Sequence, residues 1–534
     1  MGYSPINLHI LSKLLSVYPD REAADILYNG FRYGFRINYA GPRVPYESRN
    51  LKSVLNNPAI AWEKVTNEVN AGRIVGPFSY RPISNLRVSP IGLVPKKTGG
   101  IRLITNLSSP INGSVNDFID TSYTSVQYSS FDRAVVMIKK LGFKAQCSKM
   151  DVKSAFRLLP MYQGEFDLLG FKIGNWYFID KCLPMGCSVS CSHFERFSTF
   201  LHWVTEMESG LHEIDHYLDD FLFAGADKTS NCSKLMNTFT EVCSQLGVPI
   251  ADDKTEGPST RITYLGLLID TEKMLIQIPD EKVQELLYFL NQASKRKKIT
   301  LRQLQSLCGS LAFCARALPA GRAISRRLYL ACDRARKPHH LIKITKAMQS
   351  DILTWKMFLE NFNGFSYILD DSWVSNSVLR LFTDSAGGVS KGCGIYFDGK
   401  WACLNWPSEW EQGNILKDIT YLELIPIALS VYLWGNQWHG KKILFHSDNQ
   451  SVVEILNSCT SKSERVMTLV RHIVFWSLLG NFHIKAQFIP GFTNVFADLI
   501  SRGNFQKFKK LAPLADIFPT SVPETFWKLL DHNV

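Results

Sequence analysis

His216-Tyr217-Leu218-Asp219-Asp220-Phe221-Leu222-Phe223 sets two adjacent carboxylates between apolar, aromatic-rich flanks. The flanks, Glu213 to Tyr217 and Phe221 to Ala224, read as two short strands with the carboxylates at the turn between them. Two like charges side by side are costly to bury unless cations neutralise them. A carboxylate pair on a hairpin tip therefore suggests a magnesium site, because hard cations take oxygen ligands. The competing reading is an acidic turn, since Asp is common in turns. The rest of the chain decides between them.

Upstream, Ser148 to Phe156 begins as a strand and runs on into a helix, with Asp151 at the junction. There it either faces another strand's turn or caps the following helix. Phe178 to Leu183 reads as a strand, Pro184-Met185-Gly186 as a turn and Cys187 to Val204 as an amphipathic helix. Gly186 permits close backbone approach by a ligand. Further back, Ile91 to Ile104 reads as strand, Gly turn, strand, with Lys96, Lys97 and Arg102 near one tip. Such a tip is commonly a solvated turn, yet Lys and Arg are also what a triphosphate requires. Pro58 to Ala71 has a helical pattern, and the mixed polar and aromatic residues before it form an N-terminal extension without assigned chemistry.

Downstream, Ser233 to Leu246 is an amphipathic helix, and Ile262 to Ile269 a strand whose central Gly266 marks a bulge or close backbone approach. Lys295 to Lys346 is strongly helical and basic, with about fourteen Lys or Arg against the lone Asp333. Arg316, Arg322, Arg326 and Arg327 are interleaved there with Leu, Ala and Tyr. Scattered charges usually mark a solvated face, but so one-sided a run favours phosphate contact.

A second unit begins near Asn376. Strands are expected at Leu379–Asp384, Cys393–Phe397, Trp401–Asn405, Lys442–Ser447 and His483–Ile489. Helices are expected at Thr420–Trp438, Asp448–Leu456 and Thr468–Leu479, with a last one holding Asp498, so a mixed sheet packed by helices is predicted. Asp384 ends a strand, Glu423 lies in the first turn of a helix, Asp448 ends another strand and Asp498 opens the last helix. Each has a bland alternative: a turn residue, a Thr420-x-x-Glu423 capping box, an N-cap, and an i, i+4 pair with Arg502. Four such coincidences in this order argue for a site.

At 534 residues, two to four domains are expected, and 46% hydrophobic with 20% charged residues describes a globular protein. The net charge of +12 points to a polyanionic partner, nucleic acid first. No run of about eighteen apolar residues appears, so no membrane span is expected. Met1 to Asp20 is a poor signal peptide, and Ile6 stands where a myristoylation signal wants Ser or Thr. The twelve Cys include no C-x-x-C pair; Cys187, Cys191 and His193 come nearest to a metal cluster but read as buried side chains. A reducing, intracellular setting, cytoplasm or nucleus, follows.

The chain resembles a retroelement reverse transcriptase fused to a ribonuclease H domain. The first match is carried by Val94-Pro95-Lys96-Lys97 with Arg102, Met150-Asp151 with Ala155-Phe156, Leu183-Pro184-Met185-Gly186, Tyr217-Leu218-Asp219-Asp220 and Tyr264-Leu265-Gly266. The second is carried by Thr383-Asp384-Ser385, Glu423-Leu424, Ser447-Asp448-Asn449, and Ile489-Pro490-Gly491 with Ala497-Asp498-Leu499-Ile500-Ser501-Arg502. Its flavour is similar to the tyrosine-recombinase (DIRS-type) retrotransposons, with LTR retrotransposons as the nearest rival. No protease, integrase or recombinase segment is legible.

The resemblance implies an α/β (α+β) chain: a right-hand polymerase of fingers, palm and helical thumb or connection, then a ribonuclease H-like mixed sheet with helices. Its parts would be an N-terminal extension (1–60), fingers and palm (61–275), basic thumb and connection (276–375), ribonuclease H (376–505) and a tail (506–534). Asp151, Asp219 and Asp220 would hold two Mg2+ ions, Asp220 being the less direct ligand because adjacent side chains point apart. Asp384, Glu423, Asp448 and Asp498 would hold a second pair, with Mn2+ as a substitute at either site. Lys96, Lys97, Arg102, Phe156, Met185 and Gly186 would bind the deoxynucleoside triphosphate, Phe156 beneath its sugar. Gly266, Arg316, Arg322, Arg326 and Arg327 would bind nucleic acid. The implied partners are an RNA template, a DNA primer, an RNA–DNA hybrid, and an element-encoded recombinase or capsid-like protein. The chain departs from the pattern twice: Met185 stands where many viral relatives have Gln, and the loop before Asp498 contains no His.

Overall fold

Strands Ile214–Tyr217 and Asp220–Gly225 form the expected hairpin, and its two-residue tip is Leu218-Asp219. Leu218 has a φ of 53°, a left-handed conformation of the kind tight hairpin loops use. Strand Gln146–Asp151 pairs antiparallel with Asp220–Gly225 and sets Asp151 opposite Asp220. Glu256–Ser259 completes a four-stranded sheet along the other edge of Gln146–Asp151. Phe221 to Ala224 are buried without exception. Phe221 and Phe223 pack on Phe239 of helix Asn231–Leu246, at 4.5 and 5.2 Å between ring centres, and helix Ser190–Ser209 adds Phe194, Phe197 and Phe200 to the same core. Each such ring taken out of water contributes ~1.5–3 kcal/mol, which makes the strand behind the Asp pair rigid.

The computed structural model describes residues 1–96, 99–318, 321–362, 364–388, 390–412 and 415–531. The chain divides into two units, Met1–Leu265 and Gly266–Val534. In the first, helices Leu8–Leu15 and Arg21–Tyr33, capped by Asn7 and Asp20, insert Leu11, Leu27 and Phe31 into the core beneath the sheet. The segment read as an extension is thus built into this unit. A second, five-stranded sheet runs Tyr46–Glu47, Arg87–Val88, Gly170–Ile173, Trp176–Asp180, Ile74–Phe78. Helix Pro58–Asn70 and the hairpin Ile91–Pro95 with Ile101–Thr105 share an apolar cluster with it.

In the second unit, helices Asp280–Ser294, Leu301–Cys314, Gly321–Cys332 and Lys346–Glu360 precede a three-stranded antiparallel sheet of Leu381–Ser385, Gly392–Phe397 and Lys400–Asn405. Lys442–Ser447 and His483–Phe488 pair in parallel, with Lys442–Ser447 beside Leu381–Ser385. Helices Ile419–Trp434, Gln450–Ser458, Glu464–Leu479 and Val495–Ser501 accompany these strands. The architecture is mixed α/β, as the sequence pattern predicts. Trp401 Nε1 donates to the carbonyl of Asp516 at 2.8 Å, so the tail also belongs to this unit.

Several local expectations are corrected. Strand Gln146–Asp151 does not run into an α-helix, because Ser154 takes a φ of 57°; a short 3-10 turn, Ala155–Leu158, follows instead. Ile262 to Ile269 is two strands, Arg261–Tyr264 and Leu267–Asp270, since Leu265 and Gly266 both have positive φ, 48° and 85°. The helix after Gly186 starts only at Ser190 and ends at Gly210, which is left-handed. The basic stretch is helical at Leu301–Cys314 and Gly321–Cys332, but Lys298–Thr300 and Leu341–Lys343 pair as strands. Cys187 and His193 are buried, in line with their reading, with Cys191 half-buried, and His193 Nε2 faces the carbonyl of Arg36 at 2.8 Å.

The largest correction concerns Arg327. Its Nη1 lies 3.1 Å from Asp351 Oδ2, and Asp351, 0% exposed, also accepts from Arg471 Nε at 2.9 Å. This carboxylate joins three helices, and Arg327 serves the interior rather than a phosphate. Removing one member of a buried charge cluster leaves the others uncompensated. Asp351→Ala is therefore expected to cost about 3–5 kcal/mol of stability, measured by denaturant unfolding, and Asp351→Asn less.

Candidate active sites

The first site is a cleft of about 620 Å³ in the first unit, lined among others by Lys96, Arg102, Asp151, Phe156, Met185 and Asp219. Residues far apart in sequence meet here because the sheet register aligns Asp151 with the hairpin, and the backbone N–H of Val152 donates to the carbonyl of Asp219 at 3.0 Å. Burial, with Asp151 adding to it, raises the Asp219 carboxyl above its usual range against Lys254 and Arg102, which lower it. Asp220 is pushed up to about 7 by burial and by Asp219 and Asp151. It is hydrogen-bonded to Asp151, which fits the less direct role expected for it. Asp151 caps no helix; its Oδ2 accepts from Lys254 Nζ at 2.8 Å. Crowded carboxylates with raised proton affinity suit a hard divalent cation, which would replace protons and Lys254 as their counter-charge.

Arg102 sits on strand Ile101–Thr105 and Lys96 directly follows the opposite strand, Ile91–Pro95, both at the cleft, while Lys97 lies outside the described residues. Gly186 serves the fold. A Cβ there would meet the carbonyl oxygen of Thr105 at 1.9 Å, and Thr105 N–H donates to Met185 O at 3.0 Å. The close approach expected from a ligand is thus made by the neighbouring strand. Phe156 lines the cleft and also packs edge-on against Phe194 at 5.6 Å. Lys254, Arg157 and Asp180 belong to the same cleft and were missed by sequence reading. No local pattern links Lys254 to a carboxylate 103 residues earlier.

The second site lies in the second unit. Carboxylate oxygens of Asp384, Glu423 and Asp448 lie within 4.8 Å of one another. The bland alternatives for two of them are removed: Asp418, not Thr420, caps the helix holding Glu423, and Asn449, not Asp448, caps the next. Asp498 does form its expected pair with Arg502, at 2.6 Å. It lies near enough to Asp384 to raise that carboxyl's proton affinity. Ser501 Oγ donates to Asp384 Oδ2 at 2.7 Å. Burial pushes Glu423 up to about 9, with Asp384 and Asp448 adding to it. Burial likewise takes Asp384 to about 6, against the hydrogen bond from Ser501. Gly394, paired with Asp384, admits the helix that bears Asp498: a Cβ there would meet Ala497 O at 2.5 Å. Asp384, Glu423 and Asp448 are one cluster, with Asp498 acting on Asp384 from beside it, and this donor set fits divalent metal.

The arginines expected to contact nucleic acid have different neighbours. Arg316 lies over the Phe313 ring, and Arg322 and Arg326 border a cavity of about 760 Å³ with Tyr329 and Trp373. Gly266 packs on Phe313, which its Cβ would meet at 3.1 Å.

Residues 94–269 match the family model for reverse transcriptase (RNA-dependent DNA polymerase). The chain carries a reverse transcriptase domain of the retroelement kind. The Transposon Tf2-7 and Tf2-3 polyproteins of Schizosaccharomyces pombe (strain 972) are each 21% identical over 464 residues, covering 83% of this chain. The chain spans about a third of the length of these relatives, 31%. Among solved structures, the foamy viral protease-reverse transcriptase with dsDNA is 16% identical, covers 92% of this chain and 98% of that one, and has a TM-score of 0.47. The same protein with an RNA/DNA hybrid gives 16%, 90%, 63% and 0.45. No helix among the described residues is long and apolar enough to cross a membrane.

The reverse transcriptase match ends before the second site, whose chemistry has its own signature in stability. In an unfolded chain Glu423 and Asp384 lose their protons near 4.5 and 3.8, but in the fold they keep them to about 9 and 6. The native state binds more protons between those limits, so this contribution is complete below about pH 4 and lost as pH rises through 6 and then 9. In chelator, Tm should therefore fall as pH is raised from 5 to 9. Divalent cation should reverse the loss, and Glu423→Gln should flatten the slope. An unchanged slope in that variant would remove Glu423 from the cluster.

Proposed function

We propose that the chain is an RNA-directed and DNA-directed DNA polymerase of a retroelement that also cleaves the RNA strand of RNA–DNA hybrids. The observation that carries this is the presence of two separate clusters of carboxylates, one in each unit. Mg2+ pairs held by Asp151, Asp219 and Asp220, and by Asp384, Glu423, Asp448 and Asp498, would activate the attacking hydroxyl or water and stabilise the leaving group. Lys96 and Arg102 hold the triphosphate where they border the cleft. Phe156 fills the space a 2′ hydroxyl would need. Arg316, Arg322 and Arg326 are the duplex contacts that remain once Arg327 is spent on Asp351.

The other reading is a domesticated, catalytically silent nucleic-acid-binding protein. The presence of all seven carboxylates, with Asp219, Asp220, Asp384 and Glu423 held at a cost in desolvation, favours activity, because binding alone requires no metal site. Within retroelements we assign the chain to the tyrosine-recombinase type on its sequence flavour; an adjoining integrase gene in place of a recombinase would reassign it to the LTR type. An intracellular location, cytoplasm or nucleus, goes with this reading.

The two activities should separate. Asp219→Asn is expected to abolish primer extension on an RNA template and leave hybrid cleavage, and Glu423→Gln to do the reverse; loss of both from either change in folded protein would refute the two-site assignment. Phe156→Val is expected to lower the deoxy-to-ribonucleotide ratio of kcat/KM in single-nucleotide insertion, whereas a purely packing role would harm both sugars alike.

A further inference from the structure

Arg157 directly follows Phe156 and is turned inward, its side chain 11% exposed and that of its partner Asp180 7% exposed. The guanidinium reaches three elements that are distant in sequence. Nε donates to Glu68 Oε2 at 2.9 Å, near the end of helix Pro58–Asn70. Nη1 donates to Asp180 Oδ1 and Oδ2 at 2.8 and 2.9 Å, at the end of strand Trp176–Asp180. The same nitrogen lies 3.3 and 3.4 Å from the carbonyl oxygens of Cys182 and Leu183, which lead into the Pro184-Met185-Gly186 turn. Nη2 is buried with no hydrogen-bond partner. Glu68, Arg157 and Asp180 line the same cleft as Asp151, Phe156 and Met185.

Such a cluster is a poor means of gaining stability. Desolvating three charges costs much of what their attraction returns, and an orphaned donor adds to the cost. What the cluster does supply is geometry. Phe156 stands in a 3-10 turn only four residues long, Ala155–Leu158, too short to hold a ring at a set height by itself. Met185 stands on a turn, tied on one side to Thr105. Arg157 is the group that fastens both to helix Pro58–Asn70. A planar fork with fixed donor directions can do this, and a single ammonium cannot.

We propose that Arg157 is a positioning residue for the incoming nucleotide: it ties helix Pro58–Asn70, strand Trp176–Asp180 and the Pro184–Gly186 turn into one rigid floor, and so sets the clearance between Phe156 and the sugar. The inference rests on the polymerase reading of the cleft. Arg157 touches no reacting atom, so its loss should change how the nucleotide is seated more than how the bond is made.

The test is single-nucleotide insertion by the full chain on a primed RNA template, with matched deoxy- and ribonucleotides. The proteins are wild type, Arg157→Lys, Glu68→Gln, and Leu27→Val as a core change away from the cleft. Arg157→Lys should raise the deoxynucleotide KM about tenfold while kcat changes less than about threefold, and should lower the deoxy-to-ribo ratio of kcat/KM about tenfold. Glu68→Gln should move both in the same direction by less, and supplies the answer where Arg157→Lys does not fold. Leu27→Val should lower Tm and leave KM and the ratio as in wild type. If the Arg157 and Glu68 variants behave like Leu27→Val, the inference is wrong and the cluster is structural. Extension absent from the wild type would overturn the polymerase reading, and this inference with it.

Discussion

Like charges forced together in a weakly polar setting dominate this molecule. Asp219 and Asp220 are adjacent, Asp151 lies opposite Asp220 in register, and burial holds protons on Asp219 and Asp220 above the ordinary range. In the second unit the same conflict pushes Glu423 up to about 9. An arrangement of this kind persists only where the backbone beneath it cannot relax. Here the backing is the fully buried run Phe221 to Ala224, packed on Phe239, and the Asp384 strand held by paired strands and by Gly394. Packing elsewhere sustains the electrostatic tension at each site, and that tension is what makes each site receptive to a divalent cation.

The same constraint changes the meaning of the chain's basic character. A net charge of +12 suggests a surface ready for polyanions. Yet several cations are already paired with carboxylates of the fold. Lys254 balances Asp151, Arg157 balances Asp180 and Glu68, Arg327 and Arg471 enclose Asp351, and Arg502 meets Asp498. Buried carboxylates demand these partners before any phosphate does. The excess positive charge left for nucleic acid includes exposed side chains such as Arg316 and Arg326.

By itself the sequence determined the kinds of element and the acidic residues. The hairpin around Asp219, the strand ending at Asp151 and the strand Lys442–Ser447 were legible because apolar alternation and turn residues are local signals. The candidate carboxylates were legible for the same reason, each standing at the end of a strand or the start of a helix. Tertiary structure alone decided their company. Lys254 meeting Asp151, Arg157 meeting Glu68 and Asp180, Asp351 claiming Arg327, and Thr105 filling the space left by Gly186 span separations from 23 to 103 residues. Partner choice among charges depends on which surfaces are desolvated together. That is set by the packed fold, and no window of sequence contains it.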